Sequence, residues 1–514
     1  MSRINIMVAR LRLAALAPLA AGAIVGATAS AQMPTPSAIA QVVEGEYLIQ
    51  RAPDFTTLQL LDDLHRVVSP EVHVLDEIPA RRLVKVIVPS VAEMGRIAMS
   101  LPTRPVDRYV DAMTRVAVSM EALPSVASLE PETLLHMTAV APPDVTQINR
   151  SLAQTMARIG LRHPSHLSGF APPRPIVIAL IDSGVFSAHE IFSGLLLEGT
   201  DVTHRGHTAE AAVMPDGRLE EHGTATAGLI AATIRGGGSD RPALANIRIL
   251  PVRASQADDL SIQTLDAIKA IDYAIAQGVR IISANWGKNG DSAQLRQAFA
   301  DAAAAHIIVV TVAGNGRRKN PYGSSDSPQG YDIDSTPFYP ASWTLPNVIT
   351  VAASGADGSL AQFSNWGRKT VLLAAPGDGV LVPIPLPDTG GRTRSGYQSR
   401  SGTSVAAPLV AGSIALLEAA NPGADTSALV SRVQQAVAAQ PSLASRVASG
   451  GILSVKQLLN APLPRTKSPA APIPVDYVVA GKLMSRGRLL SLVKAPLPAG
   501  VLASDAPRLL GRER

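Results

Sequence analysis

The chain of 514 residues is 46% hydrophobic, 4% aromatic and 17% charged, with 40 Gly, 40 Pro and no Cys. That is a globular composition with chain enough for a large core and more than one compact unit, and it excludes disulfides and a lipid-modified cysteine anchor. The formal charge of +5 does not point to nucleic acid, because three Arg of residues 1–31 and a surplus of six over 463–514 leave residues 32–462 at −4.

Residues 1–31 predict a secretory signal. Arg3, Arg10 and Arg12 form its charged start, 13–27 its apolar run, and Ala29-Ser30-Ala31 a small-residue cleavage site before Gln32. The apolar run is short for an anchor, and no later stretch reads as a membrane span. The expected location is therefore secreted, periplasmic or in the cell envelope. Residues 42–137 predict a small α+β unit, with strands at 43–50 and 83–90, a helix at 58–68 and a strand within 122–135. The whole segment 32–140 is acidic, with nine Lys/Arg against fourteen Asp/Glu.

From about 145 to 462 apolar β-branched runs alternate with helical patterns. The runs are PIVIALIDSGV (175–185), IRILPV (247–252), VRIISAN (279–285), HIIVVTVA (306–313), NVITVAA (347–353) and TVLLAA (370–375). Helices are expected over 260–277, 292–304 and 405–418. This order predicts an α/β fold, a doubly wound and mostly parallel sheet with helices on both faces. The chain divides into 1–31, 32–140, 141–462 and a Pro-rich basic extension at 463–514.

Four residues stand at element boundaries. Asp182 ends the strand run at 175–185, and His222 opens a small-residue helix, HGTATAG. Asn315 follows the strand at 306–313, and Ser404 sits in the turn SGTS before an apolar helix. A serine there faces backbone N–H groups and the positive end of the helix dipole, which suits a nucleophile whose substrate develops an oxyanion. A histidine supplies a base and an aspartate holds it, in the chain order Asp, His, Ser. Taken singly, Ser404 or Thr403 is also a good N-cap, and Asn315-Gly316 a good turn.

The motifs IALIDSGV, HGTATAG, VTVAGNG and SGTSVAAP, spread over about 175–410, together resemble those of subtilisin-like serine proteases, the subtilases. The resemblance implies that Asp182 orients, His222 acts as general base, Ser404 is the nucleophile and Asn315 is the side-chain oxyanion donor. It implies a peptide substrate and an endopeptidase that needs no cofactor for its chemistry. The segment 32–140 is similar in place to a subtilase propeptide, with a processing junction near 142–154. ISANWG (282–287) occupies the family's substrate-lining segment, so Asn285, Trp286 and Gly287 are expected to line the cleft, although Asn285 and Trp286 depart from the usual pattern.

Asp326, Asp332 and Asp334 are oxygen ligands of the kind calcium takes, but they lack the spacing of a calcium loop, and solvated carboxylates are expected. Glu220 and Glu221 are likewise expected to be solvated. Expected partners are a protein or peptide substrate and the chain's own propeptide, with no nucleic acid. Two rival readings remain at this point: a dedicated maturation protease for one partner protein, and a non-catalytic envelope protein that binds peptides.

Overall fold

A computed structural model describes residues 42–92, 106–137, 152–161, 175–204, 206–214, 217–236, 246–255, 261–316, 328–387, 392–460, 462–463, 477–479 and 482–484. The expected signal at 1–31 and Asp326 lie outside these residues, as does most of the expected junction.

The N-terminal α+β unit contains β1 (Val42–Arg51), α1 (Thr57–Val67), β2 (His73–Ile78), β3 (Leu83–Ile87), α2 (Val106–Glu121) and β4 (Val126–Met137). Its antiparallel sheet has the order β4-β1-β3-β2. Tyr47, Ile49, Val84 and Val86 point to one face and meet Leu60, Leu64, Met113 and Met120 of the two helices in a separate core. Alternation along the strands sends every second side chain there. α1 begins with a capping box between Thr56 and Gln59.

After α3 (Leu152–Arg158), the larger region supplies β5 (Ile176–Asp182), β6 (Thr200–Asp201), α4 (His222–Arg235), β7 (Ile247–Arg253), β8 (Ser261–Gln263), α5 (Thr264–Ala276), β9 (Ile281–Ala284), β10 (Trp286–Gly287) and α6 (Ala293–Ala304). Then come β11 (Ile308–Val312), β12 (Val348–Ser354), β13 (Leu373–Pro376), β14 (Val380–Pro387), β15 (Thr393–Arg400), α7 (Thr403–Ala420), α8 (Thr426–Gln435), β16 (Val437–Ala439), β17 (Gly451–Leu453) and α9 (Val455–Leu458). Nine strands form one sheet in the order β16-β17-β13-β12-β11-β9-β5-β7-β6. All neighbours in it are parallel except β16 and β17. In the basic extension, β18 (Tyr477–Val479) and β19 (Lys482–Met484) pair as a small antiparallel hairpin.

The central strands bury both faces, which explains their unbroken apolar runs. In β5, Ile176, Ile178 and Leu180 face a core shared with α4 and α7, while Ala179 and Ile181 face α5 and α6. α7 is long and apolar enough to pass for a membrane span, contrary to the sequence expectation, yet nearly all of it is buried inside the fold. Helices on both faces of a mostly parallel sheet are the doubly wound arrangement expected from the alternation.

The N-terminal unit lies over α5 and α6. Arg81 bonds Asp272 through Nε at 2.7 Å and pairs with Asp301 at 2.6 Å. Lys269 of α5 reaches back to Asp76. β4 continues past its own sheet: Leu134, Leu135 and His136 pair with Gln263, Ile262 and Ser261 of β8, and His136 and Met137 pair with Gly287 and Trp286 of β10.

Candidate active site

Parallel strands place their carboxyl ends on one edge of the sheet, where a crevice forms. β5 delivers Asp182 there. α4 opens with His222, and the turn after β5 lies directly against it: a Cβ on Gly223 would stand 2.0 Å from the carbonyl oxygen of Gly184. Only glycine permits that approach, which explains the small residue after the histidine. His222 Nδ1 lies 2.7 Å from Asp182 Oδ1, with both side chains buried. Nδ1–H therefore donates to the carboxylate, leaving Nε2 as the basic nitrogen.

Two further donors reach the other oxygen of Asp182. Thr226 Oγ1 donates to Oδ2 at 3.1 Å from one turn into α4, and Asn285 Nδ2 stands 3.5 Å from Oδ2. The backbone N–H of Ser183 donates to Oδ1 at 2.8 Å. Glu220 is buried rather than solvated, contrary to expectation. It accepts the His222 N–H at 2.8 Å and the hydroxyl of Ser183, which itself accepts the Gly223 N–H at 2.9 Å. Burial raises the Glu220 carboxyl above its ordinary value. Burial opposes charge on His222 as well, but the charge and hydrogen bond of Asp182, then Glu220 and Glu221, outweigh it and hold the imidazole above its ordinary value.

Ser404 is the second residue of α7 and is 2% exposed. His222 Nε2 is buried with no hydrogen-bond partner, so the imidazole is not bonded to Ser404 in this structure. Such contacts commonly close only when substrate binds. The segment before Ser404 is tied to the segment before His222 by Arg400, which bonds Glu221 at 2.5 and 2.9 Å. Farther along, α4 and α7 pack closely, with Gly412 against Thr233.

Asn315 follows β11, after Gly314 at φ +91, where a Cβ would meet Asn365 at 2.7 Å. Its Oδ1 accepts from the backbone N–H of Thr403 at 2.9 Å and from the Thr403 hydroxyl at 3.0 Å. These two bonds hold the Asn315 amide against the residue that precedes Ser404.

Of the expected lining residues, Asn285 and Trp286 turn their side chains away from the slot, whereas Gly287 pairs with β4 through its backbone. Asn285 and Trp286 are fully buried, and Trp286 donates Nε1–H to Ile181 O at 2.9 Å and packs edge-on against Phe299. Their side chains support Asp182 and the core, whereas the backbone of Trp286 and Gly287 takes part in strand pairing. The contributions of Thr226 and Glu220 were not read from the sequence. A threonine one turn after the histidine was the available signal, whereas the burial of Glu220 had none.

Asp332 and Asp334 serve backbone N–H groups: Asp332 accepts the Asp334 N–H at 2.9 Å within its own loop, and Asp334 ties that loop to another segment by accepting from Lys369 and Thr370 N–H at 2.8 and 3.1 Å. Among the described residues no group of three or more His, Cys, Asp or Glu is placed to hold a metal.

A model of the subtilase family matches residues 174–450, more than half of the chain. The major intracellular serine protease of Bacillus subtilis is 30% identical over 243 residues, covering 47% of this chain and 68% of that protein. Thermitase of Thermoactinomyces vulgaris is 30% identical over 241 residues, covering 47% and 74%. Among solved structures, fervidolysin from Fervidobacterium pennivorans, a keratinolytic enzyme related to subtilisin, aligns with a TM-score of 0.59 at 20% identity, covering 84% of this chain and 63% of that one. With the family's sequence pattern found over residues 174–450, the chain belongs to the subtilase family and is a subtilisin-like serine endopeptidase.

Proposed function

We propose that the chain is made as an exported zymogen and cleaves peptide bonds with Ser404 as nucleophile, His222 as general base, Asp182 as the acid that orients it and Asn315 as oxyanion donor. The observation that carries this reading is the bonded Asp182–His222 pair, joined through Glu221 and Arg400 to the start of the helix that holds Ser404. As a peptide carbonyl enters, Nε2 takes the Ser404 proton while Oγ attacks the carbon. Asp182 stabilises the imidazolium that results. The oxyanion receives hydrogen bonds from Asn315 Nδ2 and the Ser404 backbone N–H at the positive end of α7. The imidazolium then gives its proton to the leaving amine, and water hydrolyses the acyl-enzyme by the reverse route. No step calls on a cofactor.

The pairing of β4 with β8 and β10 supports a substrate that binds as an added strand in the same slot. It also supports residues 32–140 as a propeptide whose end occupies that slot. In this reading 1–31 is a signal removed after Ala31, 141–462 is the catalytic domain and 463–514 an extension. The many long-range pairings of a parallel sheet make unaided folding slow, and a docked unit over α5 and α6 would lower that barrier.

Ser404→Ala is expected to abolish both peptide hydrolysis and labelling by a serine-directed phosphonate. Retention of either by the variant would overturn the assignment. The mature N-terminus, read by mass spectrometry from secreted material, tests the export and processing steps.

A further inference from the structure

β9 and β11 are paired neighbours as far as Ala284 and Thr311. Beyond that pair the two chains part, one into β10 and the other towards Asn315. Each carries a glycine three residues on, Gly287 and Gly314. The ring of Phe338 fills the fork between them. A Cβ on Gly287 would stand 2.4 Å from Phe338 Cε1 and 2.6 Å from its Cζ. A Cβ on Gly314 would stand 2.9 Å from the same Cε1 and 3.1 Å from Cδ1. One aromatic edge therefore lies against both glycines, and a side chain at either would collide with it.

The ring is held there. The Phe338 N–H donates to Ser342 Oγ at 3.1 Å, and its carbonyl accepts the Ser342 N–H at 2.8 Å. The next residue, Tyr339, exchanges two backbone hydrogen bonds with Lys288, each of 2.8 Å, so this segment is tied to the end of β10. On the other wall, the Asn365 N–H donates to Gly314 O at 2.9 Å and its Nδ2 donates to Ala313 O at 3.0 Å. Phe338 belongs to the core that fills this face of the sheet and is only 9% exposed. Neither wall nor floor can give way cheaply.

The fork lies where the bond to be cut must lie. A carbonyl attacked by Ser404 has to reach Asn315, the residue after Gly314. A substrate strand on the path of β4 passes Gly287 at the position of His136 and Trp286 at that of Met137, and its next residue comes beside Asn285 at the mouth of the fork. That residue supplies the carbonyl, and its side chain enters between the two glycines. Bare α-carbons on both walls leave room for a methyl or hydroxymethyl group. A benzyl or isobutyl group would need the volume that Phe338 already occupies, and overpacking a rigid site is costly.

We propose that Phe338 determines specificity by closing the subsite for the residue that supplies the carbonyl of the cleaved bond. The substrate class selected is a peptide with Gly, Ala or Ser at that position, and peptides with Leu, Phe or Tyr there are rejected. This rests on the reading of Ser404 and Asn315 given above and on the end of β4 as the substrate path.

The test uses active enzyme prepared from the full-length chain and para-nitroanilide peptides that copy residues 133–137 and end in Gly, Ala, Ser, Leu or Phe. Anilide release then reports cleavage after that last residue alone. The expected kcat/KM for Ala exceeds that for Leu and Phe by about tenfold or more, since a pocket wall can discriminate strongly against added bulk. In Phe338→Ala the Leu and Phe rates rise by a similar factor while the Ala rate changes little. Phe338→Leu, a milder change, should move the ratio in the same direction, so the proposal stays testable if Phe338→Ala does not fold. Labelling of Ser404 by a serine-directed phosphonate is measured alongside. Labelled wild-type enzyme that cleaves all five peptides alike, prefers Leu or Phe, or releases no anilide would overturn the subsite and leave the protease reading intact. So would a ratio that neither variant changes. Enzyme that neither takes the label nor releases anilide would overturn both.

Discussion

Arg400 grips Glu221 with two nitrogens, Nη2 at 2.5 Å and Nε at 2.9 Å from the same carboxylate oxygen. Glu221 is the residue before His222, and Arg400 ends β15 four residues before Ser404. Glu221 is 41% exposed, so the pair is expected to contribute about 1 kcal/mol or less to stability. Its effect on alignment is larger. Arg400→Ala is expected to lower kcat about tenfold with little change in KM, since small misplacements of reacting groups are costly. Glu221→Gln should do the same, and the double variant should be no worse than either. Fully additive losses in a double-mutant cycle would show that the pair does not act as one brace.

Asn315 is held by Thr403 through two hydrogen bonds to Oδ1. Asn315→Ala is expected to lower kcat by about 10²–10³ while KM changes little, as for loss of one oxyanion donor. Thr403→Val keeps the backbone bond and loses the hydroxyl, so a smaller loss is expected. Steady-state kinetics decides this: an effect confined to KM would remove Asn315 from the transition state.

His222 must be neutral to accept the serine proton. Burial works against its charge, but Asp182, Glu220 and Glu221 together raise it above 6.5. The proton therefore stays on longer as pH rises, and the acid limb of kcat/KM is expected above pH 6.5. Glu220→Gln removes one of the raising charges while keeping an acceptor for the His222 N–H, so the limb should move to lower pH. A limb that stays put or moves upward would contradict this account.

Burial is the largest influence on Glu132 and raises it from 4.5 to about 7, against the pull of Lys85, the Thr133 N–H and Lys288. Undocking of the N-terminal unit would return the carboxyl to its ordinary value, so the docked form binds the proton more tightly. This contribution to docking is present in full below pH 4.5 and is lost as pH rises through about 7. Its size is on the order of 3 kcal/mol. Limited proteolysis of Ser404→Ala protein should find the N-terminal unit better protected at pH 5 than at pH 8, and Glu132→Gln should erase the difference. Equal protection at both pH values would refute it.

The sheet was legible because burial on both faces leaves unbroken runs such as IVIALID, and Asp182, His222 and Ser404 sit where those runs and the helices meet. What escaped the sequence depends on neighbours far along the chain. VLVPIPLP reads as a broken segment, yet Pro383, Pro385 and Pro387 alternate in β14 opposite Tyr397, Ser395 and Thr393. Their missing N–H groups fall on one side of a strand that has one paired neighbour, which a hairpin tolerates. Glu220 looked solvated because a carboxylate next to another one usually is. Its burial comes from the Ser183 turn, 37 residues earlier. Trp286 was placed in the lining by its position after β9, but alternation along the chain sends its ring inward to Ile181 and Phe299.

β4 is a single strand that begins in one sheet beside β1 and ends in the slot between β8 and β10. Cutting the chain beyond Met137 would therefore not vacate the slot, because the severed end stays moored to a folded body with its own core. The enzyme's waiting time between scission and first turnover would be set by how often that body unfolds or is digested. Latency here would then be a property of the N-terminal unit's stability, adjustable by substitutions at Tyr47 or Leu64, far from any catalytic atom.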